Sequence, residues 1–240
     1  MFKKGASEVE PPTRGAETRG RILEAAMALF EENGYEKTTM RAVATRAGVS
    51  LGNAYYWFGS KQDLVQGYYE RIQAEHLVAC TGALRGLTSL ADRWTVYELT
   101  FLDVARPWHR FAGKFFALAA DPNSSVSPFS PESGPAREAA VAIARTVVEG
   151  STDRMDARLR AELPELLWLA HLGVTVHWVH DRSSGQRRST ALVRRVAPLL
   201  GRTLPLTRLK LLRGPLHDLL DVVADVRAPE PEPETRGARS

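Results

Sequence analysis

The sequence has few of the features that mark a secreted or membrane protein. It contains one cysteine, Cys80, among 240 residues, so no intrachain disulfide can form. No apolar run approaches the roughly 20 residues that a membrane-spanning helix needs, and residues 1–17 lack the apolar core of a signal peptide. At 44% hydrophobic and 25% charged residues, the composition is that of an ordinary globular chain. We therefore expect a cytoplasmic protein of one large or two small domains.

Acidic residues are missing from one stretch, Thr38–Lys61, although the whole chain is close to balanced, with 32 Lys and Arg against 28 Asp and Glu. Residues 37–61 carry four positive charges and no negative one. Contacts with phosphates act over a Debye length of roughly 8 Å at physiological salt. Local charge therefore matters more than the net charge of +4, and here it favours a nucleic-acid surface.

The same stretch has the spacing of two short helices joined by a tight turn. One face of the first helix is apolar at positions i, i+1 and i+4, which are Val43, Ala44 and Ala47. A threonine at 38 or 39 can cap its start, and Gly48 can end it in a left-handed conformation. Ser50 can cap the second helix, which we expect over residues 51–58. This is a helix-turn-helix, whose second helix presents its N-terminal residues to base edges.

The second helix carries side chains suited to DNA. Asn53 lies near its tip, where a short carboxamide can bond adenine N6 and N7. Further along are groups that donate to phosphate oxygens, namely Tyr55, Tyr56, Trp57 and Lys61. A helix buried in a core has no reason to carry this run of donors.

These motifs resemble the DNA-binding domain of the TetR family of bacterial repressors over residues 18–69. The matching segments are Gly34-Tyr35, Thr38-Thr39, Ala47-Gly48-Val49-Ser50, Tyr55-Tyr56-Trp57-Phe58 and Ser60-Lys61. One departure is Trp57, which stands where the family usually has histidine, so that a phosphate contact there needs the indole N–H. Another is Ala54, which replaces a larger aliphatic residue.

The resemblance implies roles for individual residues. Thr39 and Arg41 would contact the DNA backbone from the first helix of the pair. Bases would be approached from the start of the second helix by Leu51, Gly52 and Asn53, and the cap Ser50 is also expected to belong to the DNA-binding residues. Phosphates would be held by Tyr55, Tyr56, Trp57 and Lys61. The resemblance further implies a homodimer on a palindromic operator, released by a small-molecule effector, with no enzymatic activity and no cofactor.

We predict an all-α fold with an N-terminal three-helix helix-turn-helix domain and a larger α-helical domain for ligand binding and dimerisation. The predicted boundaries are a disordered arm at 1–17, the DNA-binding domain at 18–63, the second domain at 64–227 and a disordered tail at 228–240. Helix 1 is expected over 19–33, and a long helix capped by Ser60 over about 61–84, with Leu77 on its inner face.

In the second domain, two helices are expected within residues 87–119, divided at Arg106-Pro107. A turn-rich loop at 121–135 is either a lid or disordered. Pro164 suits the first turn of a helix that runs to about Asp181. Another helix carries Leu192 and Val196, and a final helix or two over 207–226 is broken near Gly214-Pro215.

Aromatic residues of this domain are the candidates for an effector pocket, because such pockets are lined mainly by apolar and aromatic groups. The alternative for each is ordinary core packing. The candidates are Trp94, Phe101, Trp108, Phe111, Phe115, Trp168 and His171.

The helix at 164–181 is apolar on more than one face, which predicts that it is covered on both sides. Gly173 lies in its middle, where glycine costs about 1 kcal/mol relative to alanine, unless another helix crosses closely there. With the following helix it could form half of a four-helix bundle across a twofold axis. The candidate dimer residues are Leu169, Gly173, Val176, His177, His180, Leu192 and Val196.

Two alternatives remain at this point. His171, His177 and His180 suggest a metal site, but no cysteine or paired acid completes a ligand set, and no nucleophile–base set for an enzyme is visible. The chain could also be a DNA-binding regulator without an effector.

Overall fold

A computed structural model describes residues 13–227, and every regular element in that range is a helix. Residues 1–12 and 228–240, which hold most of the predicted arm and the whole predicted tail, lie outside the described range. The α-helices are α1 (Arg14–Asn33), α2 (Met40–Ala47), α3 (Leu51–Trp57), α4 (Lys61–Ala83), α5 (Leu90–Ala105), α6 (His109–Ala119), α7 (Gly134–Glu149), α8 (Ala157–His180), α9 (Arg187–Thr203) and α10 (Lys210–Arg227).

Helices α1 to α3 form the helix-turn-helix domain, and nearby side chains fix where α2 begins and ends and where α3 begins. The hydroxyl of Thr39 accepts the N–H of Ala42 at the start of α2, and that of Ser50 accepts the N–H of Asn53 at the start of α3. Gly48 ends α2 in the left-handed region, at φ 66°. The predicted caps are therefore confirmed.

Helix α1 begins earlier than predicted, at Arg14 rather than Arg19, so residues 14–17 belong to it and not to the arm. The hydroxyl of Thr13 accepts the N–H of Ala16 and caps this extra turn. The other candidate cap for α2, Thr38, is buried, and its hydroxyl donates to the carbonyls of Leu29 and Gly34. Thr38 thus ties the end of α1 to the loop before α2.

Helix α4 joins the helix-turn-helix to the rest of the chain. Its buried side includes Ile72, His76 and Cys80, each four residues after the one before. Leu77, expected on this side, is 44% exposed. The prediction for Leu77 is wrong. The buried face continues from Ile72 in steps of four residues to positions 76 and 80, and Leu77, one residue after 76, points away from that face.

In the rest of the chain, α5 lies against α4, α7, α8 and α9, whereas α6 packs on α8 and α1 and α10 packs on α8. Helices α5 and α6 are separated by a 3-10 turn at Arg106–Trp108, as Pro107 predicts. Helix α8 does not start at Pro164. It starts at Ala157, because Asp156 caps it by accepting the N–H groups of Arg158 and Leu159.

Two prolines lie inside helices that were expected to begin or break at them. Pro164 is buried within α8, and α10 continues through Pro215. A proline removes one helical hydrogen bond at a cost of about 3 kcal/mol. At Pro164 the buried neighbours Leu159 and Leu163 on the same helix show that packing outweighs this cost.

Gly67 in α4 allows the helix to approach Phe58, the residue that follows α3. A methyl group at Gly67 would lie 2.7 Å from Cε1 of Phe58. We expect Gly67→Ala to lower the free energy of unfolding by about 1–3 kcal/mol through overpacking, despite the better helix propensity of alanine. The measurement is urea unfolding followed by circular dichroism.

Gly82 supplies the matched control on the same helix. A methyl group there meets no atom within 4 Å. Gly82→Ala should therefore leave the free energy of unfolding unchanged or raise it by up to about 1 kcal/mol. Equal effects of the two substitutions would contradict the close contact between Gly67 and Phe58.

Candidate nucleic-acid interface and ligand cavity

The N-terminal half of α3 lies open to solvent. Gly52 and Asn53 are exposed, and the backbone N–H of Asn53 is engaged by Ser50, which leaves its carboxamide available. On the next turn, Tyr55 is 49% and Tyr56 79% exposed. Ala54, between Asn53 and Tyr55, is fully buried in the hydrophobic core. The helix therefore turns its polar tip and its tyrosines outward while its small side faces inward.

The two arginines of α2 differ in their surroundings. Arg46 forms a two-pronged ion pair with Glu32 of α1, at 2.5 and 2.8 Å. Arg41 is exposed, and its guanidinium has no hydrogen bond or ion pair to any residue that the structure describes; only its backbone carbonyl accepts a bond, from Thr45. Its charge is therefore available to a phosphate, while that of Arg46 is already compensated.

Two of the predicted phosphate contacts are partly committed within the chain. The ammonium of Lys61 donates to the carbonyls of Tyr35, at 2.8 Å, and Glu36, at 3.3 Å, and lies 4.4 Å from the centroid of the Tyr35 ring. Trp57 is half-buried against α1, where a methyl group at Gly15 would lie 3.2 Å from its ring. Both residues brace the domain, and their contacts with phosphate stay predictions. Thr39 and Ser50 are exposed, and Leu51 is half-buried.

A cavity of about 870 Å³ lies between α4, α5, α6, α7, α8 and the loop before α7. This volume is in the range of cavities that hold drug-sized molecules. Its wall is mostly apolar and aromatic. Five of the seven residues predicted for an effector pocket line it, namely Phe101, Phe111, Phe115, Trp168 and His171.

Trp94 and Trp108 lie outside the cavity wall and are corrections to that prediction. Trp94 is buried in the core two turns before Phe101 on α5, a distance of roughly 10 Å along the helix. Trp108 belongs to the 3-10 turn before α6, and its ring packs edge-on against Tyr68 with centroids 5.6 Å apart. Residue type alone did not separate cavity lining from core packing.

The sequence did not predict the contribution of α4 to the cavity wall, and it left open whether the loop at residues 121–135 is a lid or disordered. Helix α4 supplies Tyr68, Tyr69, Ile72 and Gln73 to the wall. The loop forms another side of the cavity and is tied to α4, because Tyr69 donates to the carbonyl of Val126 at 3.0 Å. Tyr68 and Ile72 belong to the predicted inner face of the long helix, but nothing in the sequence showed what that face lies against.

Buried polar groups from three helices meet behind one wall of the cavity. His171 of α8 lies with Nδ1 3.0 Å from Oε2 of Glu98, a residue of α5 that is fully buried. His76 of α4 stacks on the His171 ring, and its Nε2 donates to the carbonyl of Tyr97 at 2.8 Å. Burial, together with the neighbouring His171, lowers the pKa of His76 to about 4.

The low pKa of His76 predicts that the protein loses stability as the solution is acidified. The unfolded chain accepts a proton on this residue near pH 6.5, whereas the folded chain accepts it only near pH 4. Between these values the unfolded state binds more protons, so the free energy of unfolding should fall by on the order of 3 kcal/mol. His76→Gln, which keeps a donor for Tyr97, should lose less stability across this window in urea unfolding. Parallel curves for the two proteins would contradict the assignment.

The predicted dimer residues lie on or near the surface of α8 and α9. Gly173, Val176, His177 and His180 are exposed, and Leu169, Leu192 and Val196 are half-buried. Within the chain no helix crosses at Gly173, where a methyl group would meet no atom within 4 Å. The close crossing expected at Gly173 is therefore not supplied by the described residues of its own chain.

The three histidines of α8 do not converge. His171 pairs with Glu98, His177 lies 3.0 Å from the hydroxyl of Ser189, and Nδ1 of His180 lies 2.8 Å from the carbonyl of Val176. Across residues 13–227, no group of three or more His, Cys, Asp and Glu is arranged to hold a metal ion. Over the same range, none of the helices combines the length and apolar character needed to cross a membrane.

An exposed recognition helix beside an all-α body with a large apolar cavity defines a class, the helix-turn-helix regulators that bind DNA and small ligands. Comparison with known proteins gives the family. Residues 22–68 match the family described as bacterial regulatory proteins, tetR family, and residues 94–225 match the Tetracyclin repressor-like C-terminal domain. The second match alone covers more than half of the chain. The chain belongs to the TetR family of bacterial regulatory proteins.

Individual relatives are similar mainly in the DNA-binding region. The transcriptional repressor KstR of Mycolicibacterium smegmatis is 44% identical over 63 residues, which are 25% of this chain and 31% of the relative. The regulator TtgR of Pseudomonas putida is 38% identical over 60 residues, 25% of this chain and 29% of the relative. The matches thus span about a third of these relatives' length.

Solved structures match over most of the chain. A TetR regulator from Nitrosomonas europaea has a TM-score of 0.60 at 17% identity, covering 76% of this chain and 97% of the other. FadR from Bacillus subtilis, solved in complex with stearoyl-CoA, has a TM-score of 0.58 at 16% identity over 76% of this chain and 97% of the other. At these identities the likeness establishes the all-α fold, as predicted.

Proposed function

We propose that the protein is a dimeric repressor that binds a palindromic operator and is released from it by a small, largely apolar effector. The observation that carries the proposal is an unbroken set of contacts between the cavity wall and the helix-turn-helix. Phe30 of α1 stacks on Phe111 of α6, with ring centroids 6.1 Å apart. Tyr35, in the loop before α2, meets Phe115 edge-on at 6.2 Å. Both α6 rings line the cavity.

Helix α4 supplies a second connection. Its first turns hold the helix-turn-helix through Gly67, which lies against Phe58, and through Glu70, which pairs with Arg19 of α1 at 2.8 Å. Tyr68, Tyr69, Ile72 and Gln73, in the same part of α4, line the cavity. An effector that moves α4 or α6 therefore also moves the recognition helix. Coupling between the two sites then requires that the effector bind one position of these helices more tightly than the other.

A dimer supplies what one short recognition helix cannot. Two half-sites roughly add their binding free energies, and the symmetry of the protein is matched by that of the operator. The proposed interface lies on α8 and α9, where exposed Gly173 and Val176 leave room for a second helix to approach closely. We further propose that the DNA-binding domain ends near residue 63 and that residues 64–227 form the effector-binding and dimerisation domain.

The two arginines of α2 test which face binds DNA. We expect Arg41→Ala to weaken binding to all duplexes and to reduce the salt dependence by about one counterion per subunit, because one phosphate contact is lost. Arg46→Ala removes the same charge from the same helix, but that charge is paired with Glu32. It should change the salt dependence less. The measurement is fluorescence anisotropy between 50 and 200 mM salt, and equal slopes for both variants would contradict the proposed face.

The operator itself can be found by selecting binding sites from random duplexes with the full chain. The proposal predicts an enriched inverted repeat bound by two or more subunits. Enrichment of an unrepeated half-site bound by one subunit would contradict the dimer.

A regulator without an effector is the second candidate. Thermal melts against a compound panel distinguish the two, because a ligand of the native state raises the melting temperature by mass action. A compound that raises the melting temperature and releases the selected duplex supports the effector. Ligands that raise the melting temperature without releasing DNA would favour constitutive binding.

A further inference from the structure

The loop between α6 and α7, residues 121–133, is held together by hydrogen bonds of its own. The N–H of Asn123 donates to the carboxylate of Asp121 at 2.9 Å. The hydroxyl of Ser130 donates across the loop to the carbonyl of Ser125, also at 2.9 Å. Because these bonds close the loop on itself, it is expected to move as one body rather than residue by residue.

One side of the loop is anchored to α4. Nε2 of Gln66 donates to the carbonyl of Ser125 and to the hydroxyl of Ser133, both at 3.0 Å. The hydroxyl of Tyr69 donates to the carbonyl of Val126 at 3.0 Å, and Val126 is 1% exposed. Gln66 and Tyr69 lie three residues apart, on one face of α4. The loop is therefore tied to a single turn of this helix by three hydrogen bonds.

The other side of the loop is held more weakly. Phe129 is 64% exposed, and its ring meets that of Trp168 on α8 edge-on, with centroids 5.5 Å apart. No hydrogen bond joins this loop to α8 among the described residues. Toward α7 the bond from Arg137 to the carbonyl of Pro128 is long, at 3.4 Å. One aromatic contact contributes about as much as one hydrogen bond, so the loop should separate first from α8.

The contact between Phe129 and Trp168 covers a corner of the cavity. Both residues line it, and so does Ala140 of α7. Ala140 is 3% exposed and packs with Trp168 in a small apolar cluster that is separate from the main core. Movement of Phe129 away from Trp168 would therefore open this corner to solvent while the bonds to α4 stay in place.

The anchor on α4 lies next to the seat of the recognition helix. Gln66 precedes Gly67, where a methyl group would lie 2.7 Å from Cε1 of Phe58. Phe58 follows α3 directly, as its C-cap, and is 2% exposed. The residue that holds the loop and the residue that holds α3 are thus neighbours in one turn of α4.

We propose that the loop at 121–133 is the gate of the cavity. It opens where Phe129 leaves Trp168, it hinges on Gln66 and Tyr69, and through Gln66 its position is coupled to that of α3. A molecule that holds the gate in one position then biases α4 and the recognition helix. The coupling rests on the proposed function, because it needs DNA at α3, whereas the gate does not.

The gate is tested in the free protein by the reaction of a thiol behind it with N-ethylmaleimide. Ala140→Cys places that thiol, and native Cys80, fully buried outside the cavity wall, reports opening of the whole fold. The thiol at position 140 should react faster than Cys80. Adding Phe129→Ala should raise its rate about two- to tenfold, as expected for the loss of one aromatic contact, and leave Cys80 unchanged.

Val78→Ala is the matched control, because it removes another exposed apolar side chain, 77% exposed on α4, and should change neither rate. If Ala140→Cys does not fold, Ala136→Cys places the thiol at a half-buried position in the same wall. The gate is overturned if the introduced thiol reacts no faster than Cys80. It is also overturned if Phe129→Ala leaves its rate unchanged or raises both rates alike.

The coupling is tested in reverse, since linkage between two sites is reciprocal. A saturating amount of the selected duplex should slow the reaction at position 140 about fivefold or more, because DNA restrains α3 and, through Phe58, α4. Gln66→Ala should reduce this effect to less than about twofold. Gln62→Ala, one turn earlier and exposed, should keep it. A duplex without effect on the rate, or a full effect in Gln66→Ala, would overturn the coupling.

The outcomes separate this proposal from the proposed function. If the protein selects no duplex, the repressor is excluded, and the reaction of the free protein still decides whether the loop is a gate. If a duplex is selected but does not change the rate at position 140, the repressor stands and the coupling through Gln66 does not.

Discussion

Asn53→Ala should lower the affinity of the proposed dimer for its selected operator by at least about 30-fold. A bidentate contact between asparagine and adenine contributes about 1–3 kcal/mol of discrimination, and a dimer makes it twice. The structure leaves the carboxamide exposed at the tip of α3, with its backbone already capped by Ser50. Discrimination should be lost at one base pair in each half-site, and it is measured by anisotropy with operator variants.

Two controls separate base reading from other effects. Asn33→Ala changes the same residue type in the same domain, at the exposed end of α1, and should leave operator affinity within about twofold. Arg41→Ala should weaken operator and unrelated DNA alike, because a phosphate contact carries no base identity. If Asn53→Ala also weakened both DNAs by the same factor, Asn53 would not read a base.

Arg93→Ala should lower the free energy of unfolding by about 3–5 kcal/mol, the largest stability effect that we expect in this chain. Arg93 is buried and joins the C-terminal ends of two helices. Its guanidinium donates to the carbonyls of Leu84, which caps α4, and Leu87 in the loop after it, and to those of Thr146 and Val147 near the end of α7, at 2.7–3.3 Å. Helix ends leave carbonyls without partners and carry partial negative charge. Removing the arginine leaves these carbonyls without hydrogen-bond donors and the partial negative charges of both helix ends uncompensated.

The glycine after α7 supports the same interpretation. A methyl group at Gly150 would overlap the Arg93 guanidinium, so Gly150→Ala should destabilise the protein even though no hydrogen-bonding atom is removed. Arg145→Ala, on the exposed side of α7, is the matched control and should change stability by less than about 0.5 kcal/mol. Urea unfolding at fixed protein concentration measures all three. A loss below about 1 kcal/mol for Arg93→Ala would show that water replaces the guanidinium at these carbonyls.

The helix-turn-helix could be predicted from the sequence because its geometry depends on residues a few positions apart. Thr39, Gly48 and Ser50 act on N–H groups and turns within their own segment, and the structure confirms each of them. The start of α1 was missed because its cap, Thr13, lies within a stretch whose charges and glycine resemble a flexible arm. The error at Pro164 has the opposite cause. A proline that suits the first turn of a helix lies instead inside α8, where buried packing outweighs its cost.

The cavity was predicted only in part because its walls are assembled from distant helices. Phe101 and Trp94 are alike in the sequence, seven residues apart on one helix face, yet one lines the cavity and the other fills the core. The role of Glu98 was not visible either. From the sequence, a single carboxylate on an apolar helix is expected to face solvent. Only the structure shows that its partner His171, 73 positions away, lies 3.0 Å from it.

The most direct test of the central claim is whether the tip of α3 touches bases in the bound complex. Asn53→Cys should form a disulfide with a selected operator that carries a thiol-tethered adenine. The native Cys80 should not interfere, because burial raises the pKa of its thiol to about 11 and its side chain is fully buried. Ala83→Cys, at an exposed position at the C-terminal end of α4 and away from the helix-turn-helix, should form no such bond. A crosslink at position 83, or none at position 53 on DNA that the protein binds, would contradict the account.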